Sequence, residues 1–223
     1  MEYNKHMCGA FSIYNDIAVL SKRFGVKPPK KKLEPRYNVR PSQSIPLIFN
    51  TEPDIIDYAL WGIRPYWDKE GKMFIINARN DSLEKATWKK SLQERRCLII
   101  ADGFYEWKKT EGNKIPYRFE LKNKQPFAFA GLWQEEKDSK GKEVPHCVII
   151  TTEPNKLVSE VHNRMPAILT AETEKDWLNP DVDADAALKL LKPYPAQDMV
   201  SYQISTMVNR PSNDSEEIIK HSI

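Results

Sequence analysis

Cys8 follows a methionine, Met7, close to the amino terminus, and that position gives the residue its chemistry. In a chain beginning at Cys8, one residue carries a free α-amine and a thiol two carbons apart. The amine titrates near ~7.7–8.0 and the thiol near ~8.5, so both offer a nucleophilic fraction at neutral pH. Such an aminothiol traps aldehydes: the amine forms an imine, and the sulfur closes a five-membered thiazolidine. Three distant segments offer partners: Asn77-Ala78-Arg79, Gly103-Phe104-Tyr105-Glu106-Trp107 and His162-Asn163-Arg164-Met165-Pro166. Glu106 can take a proton from the amine, and its aromatic neighbours would raise its pKa by desolvation. His162, with an ordinary pKa of ~6.5, can donate and accept near neutrality. Asn77 has paired donor and acceptor atoms for orienting a reactant, and Arg79 and Arg164 can grip phosphates bidentately. Each also has a plainer reading: a solvated or arginine-paired strand glutamate, a structural histidine, a turn asparagine, and arginines in internal salt bridges.

While Met1 to Met7 stay attached, the Cys8 nitrogen is an amide and only the thiol can add to an aldehyde. A start at Met7, a leader removed after translation and an appended segment are all open. The expected organisation is therefore an extension over 1–7, removed or not native, followed by a single domain over 8–223.

The 223 residues suit one compact domain, and 40% hydrophobic content argues against wholesale disorder. The net charge of +3 is too small to imply a polyanionic partner, but it is unevenly spread. Eight basic residues lie between Lys22 and Arg40 against Glu34 alone, while ten acidic residues face five basic ones from Ala171 onward. One face can therefore attract polyanions while the rest does not. Cys8, Cys97 and Cys147 make an odd count without close pairing, which fits a reducing compartment, and the latter two sit in apolar runs as core thiols. The four histidines lack zinc-type spacing, so no metal or other cofactor is expected. With no long apolar run and no signal-peptide core, the reading is of a monomeric cytoplasmic protein, nucleoid-associated if bacterial, with no membrane partner.

The elements that must position the reactive residues are mostly strands. Ile17, Leu20 and Phe24 at helical spacing, with Gly25 after them, predict a helix over Asp16 to Phe24. Short runs rich in β-branched and aromatic residues predict strands over 45–49, 55–63, 73–77, 96–107, 117–121, 127–133 and 147–152, and a last one over 199–205. Lys122 to Gln125 reads as a hairpin between two of them. Helices are expected over 157–161, 171–178 and 184–192. The pattern predicts an α+β fold: a single β-rich domain on mixed or antiparallel sheets with a few short flanking helices. Trp67 and Tyr66, beside Pro65, sit in a loop where exposed rings could stack on bases, whereas Trp61, Trp107 and Trp133 read as core.

Six motifs in order, Met7-Cys8-Gly9, Pro35-Arg36-Tyr37-Asn38, Trp61-Gly62-Ile63, Asn77-Ala78-Arg79, Ala101 to Trp107, and His162-x-Arg164-Met165-Pro166, carry a resemblance over Cys8 to about Asn209. They resemble the SRAP family, SOS-response-associated peptidase-like proteins that cross-link to abasic sites in single-stranded DNA. The resemblance implies a central barrel-like sheet with a groove across it. It also implies covalent capture of abasic sites by a DNA-protein cross-linking enzyme, with Cys8, Asn77, Glu106 and His162 as catalytic residues. Arg79, Arg164, Trp67 and Asn38 become the implied DNA-binding set, and single-stranded DNA with abasic sites the implied partner. Two departures stand out: the family usually has arginine where this chain has Ala10, and a small residue plus glutamate where it has Asn80-Asp81. The competing functions are a cysteine-type (auto)peptidase using Cys8 and a non-covalent single-stranded DNA binder.

Overall fold

A computed structural model describes residues 9–65, 67–68, 70 and 72–222. Cys8, the 1–7 segment and Tyr66 lie outside the described residues. Five strands close a barrel: β3 (Ser44–Phe49), β4 (Glu52–Trp61), β6 (Arg96–Ala101), β9 (Phe127–Lys137) and β10 (Glu143–Thr152). All neighbours in it are antiparallel except β10 and β4, which pair in parallel at His146↔Leu60 and Cys147↔Trp61. Against the barrel lies a second, five-stranded sheet. It contains β1 (Phe11–Ile13), β2 (Arg36–Val39), β7 (Gly103–Thr110), β8 (Asn113–Leu121) and β13 (Met199–Gln203), in the order β13-β8-β7-β1-β2. Short strands β5 (Asn77–Arg79), β11 (Met165–Pro166) and β12 (Ile168–Leu169) line the barrel's rim. The helices are α1 (Ile17–Phe24), α2 (Ala86–Glu94), α3 (Lys156–Ser159), α4 (Ala171–Leu178) and α5 (Ala184–Leu190). Among the described residues no helix is long and apolar enough to cross a membrane.

Barrel and sheet meet through aromatic side chains. Phe11 packs at 5.2 Å from Trp61 and 5.8 Å from Phe129, and Phe104 lies 6.2 Å from Phe129 and stacks on Phe119 at 5.0 Å. These rings are fully buried, and aromatic pairs in such stacked and edge-to-face arrangements add about 0.5–1.5 kcal/mol beyond the burial itself. Cys97 and Cys147 sit in the same core, where burial pushes both thiols well up.

The α+β reading holds, and α1 is capped as its sequence suggests. Asp16 accepts from Ala18 N–H, and Gly25 ends the helix with φ of 68°. Three expectations need correction. The apolar run over 96–107 is not one strand: it breaks at Asp102, whose carboxylate binds the backbone N–H groups of Tyr14 and Asn15 and the Asn15 amide, so β6 stays in the barrel while β7 joins the other sheet. Lys122 to Gln125 is not a hairpin either, because β13 occupies the edge of β8 and the turn instead hands the chain to the barrel. Over 73–77, Ile75 makes only an isolated bridge to Ile63, and the strand that forms is Asn77–Arg79.

Much of the Ala101-to-Trp107 motif serves to fix β1 on β7. Arg118, fully buried, donates from Nε to Glu120 at 3.0 Å and from Nη1 to Ser12 Oγ at 2.8 Å and Tyr105 Oη at 3.2 Å. Tyr105, its pKa pushed up to about 12 by burial, stays a phenol and donates to the Tyr37 carbonyl at 2.6 Å. Gly103 lies flat against this guanidinium: a Cβ there would fall 2.6 Å from Arg118 Cζ. Because Arg118 is held on every side, Gly103→Ala should lower unfolding free energy by roughly 1–3 kcal/mol, as overpacking does. Urea denaturation checks this, and an unchanged midpoint would show that the guanidinium can move aside.

Candidate active site

The site is built where β10 runs past the end of the barrel. Beyond its pairing with β4, β10 takes β5 in parallel, setting Ile149 beside Asn77, Ile150 beside Ala78 and Thr151 beside Arg79. Alternation along β5 buries Ala78 and leaves Asn77 half-buried and Arg79 exposed on the other side. On its opposite edge β10 pairs with β11, with Thr151 beside Pro166 and Thr152 beside Met165. One residue of β10, Thr151, therefore spaces the Asn77-Ala78-Arg79 segment from the His162 segment.

His162 ends the turn that continues α3. Asn155 caps that helix by accepting from Val158 N–H at 2.9 Å, and His162 N–H donates to the Val158 carbonyl at 2.9 Å. The imidazole Nδ1 faces two backbone groups of Arg164, its N–H at 3.2 Å and its carbonyl at 3.3 Å. The first suits a bare Nδ1 and the second a protonated one, so the ring has a partner in either state.

Between these segments lies a cleft of about 720 Å³ lined by Asn77, Arg79, His162 and Arg164, with Trp107 and Lys108 of β7 among its other walls. Glu106, 3% exposed, lies on the same face of β7 as Phe104 and opposite to Tyr105. The amino-terminal end of β1 runs beside β7, where the Ala10 carbonyl accepts from Tyr105 N–H at 3.1 Å. Asn77 and His162, far apart in sequence, thus line one cleft, and Trp107, the residue after Glu106, forms another of its walls.

The two arginines are held differently. Arg79 is exposed and forks onto Asp81, which it keeps below the usual carboxylate range. Arg164 is half-buried, and burial together with the charge of Arg79 lowers its pKa. Its Nη2 donates to Asn80 Oδ1 at 2.9 Å and to the Thr151 carbonyl at 2.6 Å, while its Nε is buried without a hydrogen-bond partner among the described residues. No group of three or more potential metal ligands occurs among the described residues.

Two expected DNA contacts stand elsewhere. Trp67 is 47% exposed and donates from its indole to Thr87 Oγ1 at 3.3 Å, outside the cleft lining. Asn38 is completely buried, with its amide donating to the carbonyls of Val208, Arg210 and Asn213. It is a tie that holds the 204–213 segment, and the expectation of a DNA contact is corrected on that ground. Trp107, read as core, proves half-buried and lines the cleft. The Lys108-Lys109 pair after it was the signal that its strand was leaving the core.

The SOS response associated peptidase (SRAP) family model matches residues 7–211. The chain belongs to the SRAP family. It is 43% identical over 222 residues to a Bacillus subtilis (strain 168) protein named abasic site processing protein YoqW, spanning 96% of this chain and 99% of that one. Identity to the abasic site processing protein HMCES of Xenopus tropicalis is 32%, over 83% of this chain and 66% of the other. A solved structure of a Bacteroides thetaiotaomicron protein superposes with a TM-score of 0.87 at 27% identity, covering 97% of this chain and all of that one. In this SRAP protein Asn38 is architecture, so Asn38→Ala should cost about 2–4 kcal/mol, the two amide hydrogens shared among three carbonyls and the bond accepted from Arg40 Nε contributing roughly 0.5–1.5 kcal/mol each. A loss under 1 kcal/mol in urea unfolding would contradict the assignment.

Proposed function

We propose that this protein processes abasic sites in single-stranded DNA, capturing the open-chain sugar aldehyde covalently through Cys8. The observation that carries the reading is the meeting of Asn77, Arg79, His162 and Arg164 in one cleft, another wall of which is Trp107, the residue after Glu106. Relatives that span nearly the whole chain are named for abasic site processing, which supports the same substrate.

His162 protonates the ring oxygen of the abasic sugar as the ring opens to the aldehyde, its Nδ1 supported by Arg164 before and after the transfer. The neutral α-amine of Cys8 attacks the aldehyde carbon and gives a carbinolamine. Loss of one water gives the imine, and the thiolate adds to the same carbon to close the thiazolidine. Glu106 takes the amine proton and returns one to the leaving water. Asn77 orients the amine or the sugar. Arg79 and Arg164 take the flanking phosphates. Trp67, exposed on its loop, stacks on a more distant base. An amide nitrogen cannot form the imine, so the chemistry requires the bond between Met7 and Cys8 to be cut.

Intact-mass measurement before and after incubation with an oligonucleotide bearing one abasic site tests this. Protein beginning at Cys8 should gain the oligonucleotide mass less one water, and protein verified to retain Met1 should gain nothing stable. Cys8→Ala should abolish the adduct, whereas Glu106→Gln and His162→Ala should slow its formation by roughly 10²–10⁴-fold. An undiminished adduct in Cys8→Ala would refute the mechanism.

A further inference from the structure

The buried and half-buried arginines of this chain mostly have their charge answered. Arg23 forks onto Glu174 at 2.8 and 2.9 Å, Arg36 pairs with Asp214, and Arg118 pairs with Glu120. Arg96 is fully buried and spends its donors on the carbonyls of Leu92, Trp177, Asn179 and Val182. Arg40, like Arg96 and Arg164, has no carboxylate partner in a salt bridge among the described residues, and unlike Arg96 it leaves one terminal nitrogen unused. Its Nε donates to Asn38 Oδ1 at 2.8 Å and its Nη2 to the Val208 carbonyl, and it has no ion pair and no hydrogen bond from Nη1 among the described residues. Burial pushes its pKa down, which is the cost of a half-buried cation with no carboxylate beside it.

The position of this cation is fixed and close to the cleft. Arg40 Cζ lies 5.7 Å from the centroid of the Trp107 ring, a wall of the cleft, and that indole donates to Asn209 Oδ1 at 2.8 Å. Asn38, which accepts from Arg40, also ties down the loop carrying Val208 and Asn209. Little side-chain entropy is left to lose when an anion arrives, so the guanidinium is preorganised for one. Cations continue the series on the cleft side, with Lys108 and Lys109 on the strand of Trp107 and Arg79 and Arg164 across from them. A row of cations along an aromatic wall suits a polyanionic strand better than a single carboxylate.

We propose that Arg40 binds a backbone phosphate of the nucleic acid, one step beyond the cleft on the Trp107 side. The proposal rests on the nucleic-acid reading above and adds a contact outside the reacting centre.

Fluorescence anisotropy with an undamaged single-stranded oligonucleotide, titrated at several salt concentrations, tests it separately from the chemistry. Arg40→Gln should weaken binding about 3–10-fold at low salt and reduce the magnitude of the log–log salt slope by ~0.7, the value for one phosphate on a single strand. Arg40→Lys should keep the slope while losing part of the affinity. Capture of an abasic oligonucleotide at saturating DNA should be unchanged in both. Unchanged affinity and slope in a folded Arg40→Gln protein would overturn the proposal. So would capture lost at saturating DNA, which would put Arg40 in the chemistry. If Arg40→Gln does not fold, single methylphosphonate substitutions scanned along the oligonucleotide decide. Wild type should show a sensitive linkage beyond those answering to Arg79 and Arg164, and a scan without one overturns the proposal. Wild-type protein that captures no abasic DNA would refute the preceding reading, a result distinct from any of these.

Discussion

Everything at the cleft depends on the hydrogen-bond ladder of β10. Its first half closes the barrel, antiparallel to β9 on one edge and parallel to β4 on the other, and its last residues carry β5 and β11. The barrel is rigid because its interior is filled with side chains such as Trp61, Phe129 and Ile149, so the overhanging end of β10 inherits a fixed position. A one-residue slip in the β10–β5 register would turn Asn77 and Arg79 toward the core and Ala78 toward the cleft. The fixed ladder does for the site what a metal or disulfide does elsewhere: it holds residues from distant parts of the chain at constant separation.

The sequence motifs divide by physical task once they are placed. Asp102, Gly103 and Tyr105 fasten β1 to β7 and hold Arg118, while Trp107, further along the same strand, lines the cleft. Asn38 and Asp214 do the same for the 204–213 segment, with Asp214 accepting from the backbone N–H groups of Tyr37 and Asn38. Polar residues in a motif are therefore as often internal ties as contacts to a ligand. Burial distinguishes them, and a single sequence does not display it.

The strands and capped helices were legible because their signals are local. Asp16 and Gly25 bracket α1, and Thr170 with Thr173 forms a capping box on α4. The helix over Ala86–Glu94 went unread because Lys85 supplies no side-chain cap and its buried stripe is only Trp88, Ser91 and Leu92, one of them polar. The break at Asp102 was hidden because β6 and β7 are both apolar, and only the long-range bonds to Tyr14 and Asn15 reveal where the chain changes sheets. The meeting of Asn77, His162 and Arg164 could be inferred from resemblance but not from spacing, since it is a product of β-sheet pairing across more than seventy residues. Arg40 was visible only as one of eight basic residues, and its lack of a carboxylate partner is a property of the fold.

The most direct test of the account is a crystal structure of protein beginning at Cys8, trapped with a single-stranded oligonucleotide carrying one abasic site. The account predicts continuous density from the Cys8 nitrogen and sulfur to one sugar carbon. That sugar should lie in the cleft between Asn77 and His162, with flanking phosphates on Arg79 and Arg164. A sugar bonded through another residue, or DNA lying across a different face with the cleft empty, would contradict it.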